Sequence, residues 1–354
     1  MSESEKIRQR YSFRQYREGD EDRILQLRGL TMDVSRDIRW WRWINRDGPD
    51  GPAIIWLAED GQKLIGHHAL LPLRIKIGNR ECRCALGFDV MTHPDYQRQG
   101  VLTEIRGRLY KYAAENDIKF FFGSTEPRIF TVYAKLKSLP VSEPLMLVKI
   151  LSWGKALKER YRIPVFIGSI MGRIRGCITG REPSLPGDVE VEWISSFDES
   201  IDKFWLKASE IKEIMVVRDM KYLNWRYVAK PGGKYVIFIA KRHQEIIGYI
   251  VLMLETDTIS RGIIVDLLTL PREEIVAGVL VTRAVSYFRG EGAARVSCFM
   301  LPDNPYYQTL KKLGFMRRSS RLVFGVRLIE SSLSKEFLTD SANWFYTWGD
   351  GDTG

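Results

Sequence analysis

The spacing of apolar and polar positions changes several times along the chain, and each change marks an element. "YSFRQY" at 11–16 alternates as a half-buried strand does; after Gly19-Asp20, residues Ile24, Leu25 and Leu27 fall at helical spacing. Apolar runs at 54–58 and 64–71 flank Glu59-Asp60-Gly61, a hairpin signature. Gly78-Asn79 marks a second hairpin that leads into a strand over 85–92. From Val101 the apolar positions recur at Ile105, Leu109 and Tyr112/Ala113, which predicts a helix. Phe120-Phe121-Phe122 is apolar throughout, as a central strand should be, and a last helix is expected over 129–137. Hairpins followed by strand–helix–strand units predict a mixed, mostly antiparallel sheet flanked by helices, an α/β (α+β) arrangement.

The pattern then repeats. "DVMTHP" at Asp89–Pro94 recurs as "DLLTLP" at Asp266–Pro271, and 266 − 89 = 177. The Lys-Leu ending at Leu136 recurs at Leu313, and 313 − 136 = 177. Gly66 in "GQKLIGH" is echoed by Gly248 in "HQEIIGY", and Trp41 in "WRW" by Trp225 in "WRY". Four matches in one order, with slowly drifting spacing, indicate a duplication. The expected domains are therefore 11–148 and 187–328, joined by a basic linker at 149–186 and followed by a tail at 329–354. That tail, with four aromatic residues in "NWFYTWGDGDTG", is expected to dock on the body.

Composition narrows the class. A chain of 354 residues suits two domains, and 45% hydrophobic with 28% charged residues excludes a disordered chain. The net charge of +10 permits a polyanionic partner, but the excess is scattered, so no specific nucleic acid is expected. It concentrates only in the linker, at Lys155, Lys158, Arg160, Arg162, Arg173 and Arg175, read as a helix with a solvated basic edge. Cys82, Cys84, Cys177 and Cys298 show no metal-ligand spacing, so no metal is expected. With no signal-like N-terminus and no apolar run of about 20 residues, a cytoplasmic protein without a transmembrane segment is expected. Oligomeric state is left open.

The chemistry concentrates in "DVMTHPDYQRQGVLTEI", residues 89–105. A strand ends at Pro94, a short polar loop follows, and a helix begins. Helix starts offer unpaired N–H groups and a partial positive charge to an anion. Gly100 lets the backbone come close to a ligand; Arg98, Gln97 and the first-turn Thr103 can add side-chain donors. A pyrophosphate is the group this loop suits. In the second copy Glu273, Glu274, Ile275 and Val276 stand in the same place, where carboxylates would repel a phosphate.

These residues resemble the GNAT superfamily of N-acetyltransferases. The family's acyl-CoA loop, Gln/Arg-x-x-Gly-x-Gly/Ala after the fourth strand, is similar to Gln97-Arg98-Gln99-Gly100-Val101-Leu102. "YSFRQYREGDEDRILQL" looks like its first strand and helix, and "FGSTEPRIFTVYAKL" and "DNPYYQTLKKLGF" resemble its later motif. Leu102, Lys137 and Ser138 depart from it. The resemblance implies two tandem GNAT-like domains, the second degenerate. It further implies direct acyl transfer from acetyl-CoA, or another acyl-CoA, to a primary amine of a small molecule or peptide. The main chain of Val90, Met91 and Thr92 would polarise the thioester oxygen, and backbone groups of Gln99, Gly100, Val101, Leu102 and Thr103 would hold the diphosphate. Tyr133 is the candidate acid for the leaving thiolate. Glu126 is the candidate to take the amine's proton or to bind a cationic acceptor, the alternative being a solvated carboxylate. Asp89 is a second candidate base, although its recurrence as Asp266 favours a structural bond. Two alternatives stand beside the enzyme: a non-catalytic CoA-sensing or partner-binding module, and a transferase taking its acyl or aminoacyl group from a carrier protein or tRNA.

Overall fold

A computed structural model of the chain describes residues 7, 9–32, 34–154, 185–256, 260–330 and 333–351. Short turns aside, the order is β1 (Ser12–Gln15), α1 (Glu21–Thr31), α2 (Ile38–Asn45), β2 (Ile54–Asp60), β3 (Lys63–Ile77), β4 (Arg80–Thr92), α3 (Val101–Glu115), β5 (Phe120–Thr125), α4 (Pro127–Lys135), β6 (Leu139–Ser142) and β7 (Leu145–Ile150). There follow β8 (Val189–Ile194), α5 (Ser200–Ala208), β9 (Ile214–Val216), β10 (Tyr235–Arg242), β11 (Glu245–Glu255), β12 (Arg261–Thr269), α6 (Glu274–Gly290), β13 (Arg295–Met300), α7 (Tyr307–Lys312), β14 (Met316–Ser319), β15 (Val323–Leu328) and β16 (Trp344–Phe345).

These elements fall into two units. The first takes residues up to Val141 with Ala229–Gly232 and Phe324–Thr339; the second takes Ser142–Val228, Gly233–Val323 and the residues from Asp340. In the first, the strand order is β1-β2-β3-β4-β5-β15-β6; in the second, read in the matching direction, it is β8-β10-β11-β12-β13-β7-β14. The duplication is therefore present strand for strand. Each sheet is antiparallel through its hairpins, with parallel pairing at the equivalent places β4–β5 and β12–β13.

One feature departs from contiguous halves at 11–148 and 187–328. Strand β7 pairs with β13 and β14, and β15 lies between β5 and β6, so each unit takes its penultimate strand from the other half of the sequence. Alternation identifies a strand but not the sheet it joins, and two equivalent strands leave the same repeat in either arrangement. Of the linker, residues 155–184 lie outside the described residues, and the helical reading of them with it.

The local causes follow the sequence. Gly61 and Gly78 both adopt positive φ at their hairpins, which glycine does at least cost. Helix α3 buries Val101, Ile105, Leu109 and Ala113 against a cluster with Tyr11, Ile65, Leu70, Ala85 and Phe121. Each fully buried aliphatic side chain of that face contributes roughly 1.5–3 kcal/mol. Gly66 brings β3 and α3 together: a Cβ there would meet Val101 at 2.7 Å and Ile105 at 2.9 Å. Gly248 does the same in the second unit, where a Cβ would meet Thr269 at 2.9 Å and Leu280 of α6 at 3.2 Å. The two glycines share a packing role, which is why both copies keep them.

The tail's aromatic residues Trp344, Phe345 and Tyr346 are buried in the second unit, where β16 pairs in parallel with β9. Asp350 bonds Arg218 at 2.7 Å, and Arg218 also reaches Asp266 at 3.1 Å, all three side chains being buried.

Candidate functional site

In the first unit β4 carries a bulge. His67 pairs with Met91 and Ala69 with Phe88, so Asp89 and Val90 together oppose His68. Asp89 sits at φ +46, outside regular strand geometry. Pairing between β4 and β5 is confined to Ala85–Phe121 and Leu86–Phe122, although β4 runs on to Thr92 and β5 to Thr125. The two parallel strands thus part beyond Leu86, and Val90, Met91 and Thr92 line one arm of the opening.

The loop that follows leads into α3. Pro94–Tyr96 forms a single tight turn, and the Gln97 side chain bonds back to the Thr92 carbonyl at 3.4 Å. Arg98 at φ +63 and Gly100 at φ +79 lie on either side of Gln99, an alternation that turns successive N–H groups into a concave surface. Among the described residues, the amides from Arg98 to Thr103 meet no protein acceptor; the first backbone bond of the helix is Glu104 N–H to the Gly100 carbonyl. A row of free amides at a helix start is an anion site in waiting.

The side chains around these amides are unequal. Arg98 and Thr103 are exposed, and Val101 is buried in the core. Gln99 is held on both sides: its Oε1 accepts from the Tyr11 hydroxyl at 2.6 Å and its Nε2 donates to the Asp95 carbonyl at 2.9 Å. Ile7 packs against the open face of Gly100, so a Cβ at that position would collide with it.

The second unit keeps a positive-φ residue, Arg272, and amides at Glu274, Ile275 and Val276 without a protein acceptor among the described residues, but it surrounds them with different side chains. At the corresponding place Glu273 is bound by Arg242 at 2.5 Å, and Arg242 in turn meets Asp188 at 2.8 Å. An ion-paired carboxylate thus takes the helix N-cap that Gly100 holds in the first unit, where a phosphate would need donors.

Of the candidate catalytic groups, Tyr133 lies half-buried on α4, the helix that follows β5. Its ring carries the guanidinium of Arg106 with the carbon 3.7 Å from the ring centroid. Glu126 is exposed at the start of α4, its carbonyl accepting from Phe130 N–H. Asp89 is buried and ion-paired with Arg28, whose guanidinium also covers the Trp40 ring at 4.7 Å. A buried carboxylate engaged in this way suits a structural bond more than proton transfer.

Sequence reasoning passed over Arg106, Arg28 and Tyr11. Arg106 and Tyr110 are one turn apart beside the apolar stripe of α3, a position where a buried arginine is uncommon; that was the available signal. His67 and His68 are both fully enclosed in β3. Burial holds both below the usual histidine range, reinforced at His68 by the nearby Arg106 charge. His67 Nδ1 lies 2.7 Å from the Asp89 carbonyl, while His68 Nδ1 meets no partner among the described residues. Among the described residues no cluster of three or more histidine, cysteine or acidic side chains could hold a metal.

Residues 12–135 match the family model described as an acetyltransferase (GNAT) domain. No curated protein sequence matches the chain. Among solved structures, the chain is similar to a GCN5-related N-acetyltransferase from Anabaena variabilis: TM-score 0.65, 14% identity, covering 91% of this chain and 73% of that one. A probable N-acyltransferase of Enterococcus faecalis gives TM-score 0.64 at 10% identity, with 90% and 73% covered. Saccharomyces cerevisiae N-myristoyltransferase with bound myristoyl-CoA gives 0.60 at 9% identity, with 90% and 78% covered. Such identities speak for the fold alone, but the matched domain coincides with the unit that carries the free amides. Residues 12–135 thus carry a GNAT domain, and the fold of the whole chain resembles two GNAT-like units in tandem.

Proposed function

We propose that the protein is an acyl-CoA-dependent N-acyltransferase, most simply an acetyltransferase, with its site in the first unit. The observation that carries this reading is the row of unpartnered amides from Arg98 to Thr103, at the end of the bulged strand of a GNAT domain. Amides of Gln99, Gly100, Val101, Leu102 and Thr103 hold the diphosphate of coenzyme A, with Arg98 and Gln97 contributing side-chain donors. The pantetheine arm enters where β4 and β5 part, and a main-chain N–H of Val90–Thr92 polarises the thioester carbonyl.

The reaction is direct. A neutral primary amine, from a small molecule or a peptide, attacks the thioester carbon; the C–N bond forms, the C–S bond breaks, and the electron pair leaves on sulfur. Tyr133 gives its phenolic proton to that sulfur. The proton lost by the amine passes to solvent directly or through Glu126, whose exposed position at the start of α4 also suits it to attract a cationic acceptor. Asp89 serves by fixing Arg28 and the bulge. The second unit supports the first and binds no second acyl-CoA.

Calorimetric titration with acetyl-CoA and with a long-chain acyl-CoA tests the reading. One equivalent bound per chain is expected, together with release of CoA thiol in the presence of an amine panel. A folded protein that takes up neither ester would refute it.

A further inference from the structure

Arg106 is a buried guanidinium, 5% exposed, and no carboxylate among the described residues lies within ion-pair distance of it. Its Nε–H donates to the Tyr110 hydroxyl at 2.8 Å, and its flat face covers the Tyr133 ring. Tyr110 is fixed in turn: it stacks on Phe121 at 5.3 Å, and Arg327 of β15 covers it at 5.0 Å. An enclosed cation without an acid is costly to keep, and it points to a negative charge that forms nearby during function. It touches two phenols: Tyr110 accepts its N–H and is packed between Phe121 and Arg327, whereas Tyr133 lies under its flat face on the helix that follows the splayed strand, where a leaving thiolate can take its proton.

We infer that Arg106 sets the acidity of Tyr133. This rests on the acyltransfer reading of the first unit and deepens it: Arg106 is a positioning residue that acts through Tyr133, not a group that meets substrate. As the C–S bond breaks, the phenolic proton moves to sulfur, giving the CoA thiol and a phenolate. The fixed charge of Arg106 on the ring stabilises that phenolate, which is later reprotonated by the proton the amine has lost. A favourable charge inside an enclosed site acts without reorganisation at the moment of reaction. The link also ties the site together, because Arg106 belongs to the helix begun by the free amides and Tyr133 to the helix that follows the second splayed strand.

The test uses the full chain labelled with 13Cζ-tyrosine, Tyr133→Phe identifying the signal. In ligand-free protein, Arg106→Met should move the Tyr133 titration up by about one pH unit or more, a tenfold change, and Arg106→Lys should restore part of it. Tyr110→Phe, which frees the Arg106 anchor without removing the charge, should give a smaller upward move and serves if Arg106→Met does not fold. With acetyl-CoA and an accepting amine, kcat should fall at least about tenfold in Arg106→Met while KM for acetyl-CoA stays within about twofold. A Tyr133 titration unchanged in folded Arg106→Met, or in Arg106→Lys and Tyr110→Phe together, overturns the inference. Absence of acyl-CoA binding by the wild-type protein would instead defeat the acyltransfer reading, and the ligand-free titration distinguishes the two.

Discussion

Asp89 and Asp266 stand at the bulges of the two equivalent strands, β4 and β12, and each is buried against an arginine: Arg28 for the first, Arg218 for the second. The residues around them differ. Asp266 also accepts from Tyr249 at 2.8 Å and Tyr227 at 3.1 Å, and shares Arg218 with the tail's Asp350. Asp89 has Arg28 and the backbone bulge, and its strand leads to the free amides. The shared aspartate thus belongs to the fold that both copies inherit, and the difference between the copies lies in the loop beyond it.

For Asp89 the consequence is a loss of stability. Asp89→Asn leaves the Arg28 guanidinium enclosed without its partner, so unfolding free energy should fall by about 3–5 kcal/mol. Chemical denaturation checks this. An Asp89→Asn protein of wild-type stability that had lost turnover alone would restore Asp89 to the list of bases.

Acidification should weaken the fold. Burial holds His67 and His68 below their ordinary value of 6.5, so the folded unit stays neutral at both while the unfolded chain takes up protons as pH drops through that value. Their contribution is present above about pH 6.5 and is lost below it. Melting temperature should therefore fall between about pH 7.5 and 5.5, and His68→Gln should flatten that fall. A pH-independent wild-type melting temperature across this range would contradict the assignment.

Gly66 offers a packing test. A Cβ there meets the tips of Val101 and Ile105, and Gly66→Val forces β3 and α3 apart. Overpacking of this kind costs about 1–3 kcal/mol and should also displace the start of α3, weakening acyl-CoA binding in proportion. Denaturation and calorimetry on the same variant check both effects; an unaltered affinity would show that the helix start does not depend on this contact.

Charge at the loop should affect binding and little else. Arg98 is exposed, so Arg98→Glu should leave melting temperature within about 2 °C while lowering acyl-CoA affinity at least about tenfold. Glu273→Ala, at the corresponding helix start of the second unit, should leave affinity unchanged. Titration calorimetry of the three proteins separates the loops, and equal losses in both variants would contradict a single site.

Much of this was legible in the residues. The duplication, the hairpins at Gly61 and Gly78 and the apolar stripe of α3 are all local or periodic signals, and local signals survive in sequence. The exchange of β7 and β15 was not legible, because alternation is the same whichever sheet a strand enters. Nor were the partners of Asp89 and Tyr133: Arg28 and Arg106 come from helices 61 and 27 positions away (89 − 28 and 133 − 106), and no spacing rule connects them. The tail's aromatic run implied burial but not that its Asp350 would share Arg218 with the bulge aspartate.

The claim that the Gly100 turn grips the diphosphate of coenzyme A is tested most directly by amide hydrogen exchange of the full chain with and without acetyl-CoA. Protection should appear at residues 99–103 and be absent at 273–277. Saturable binding that left 99–103 unprotected, or that protected 273–277 instead, would contradict it.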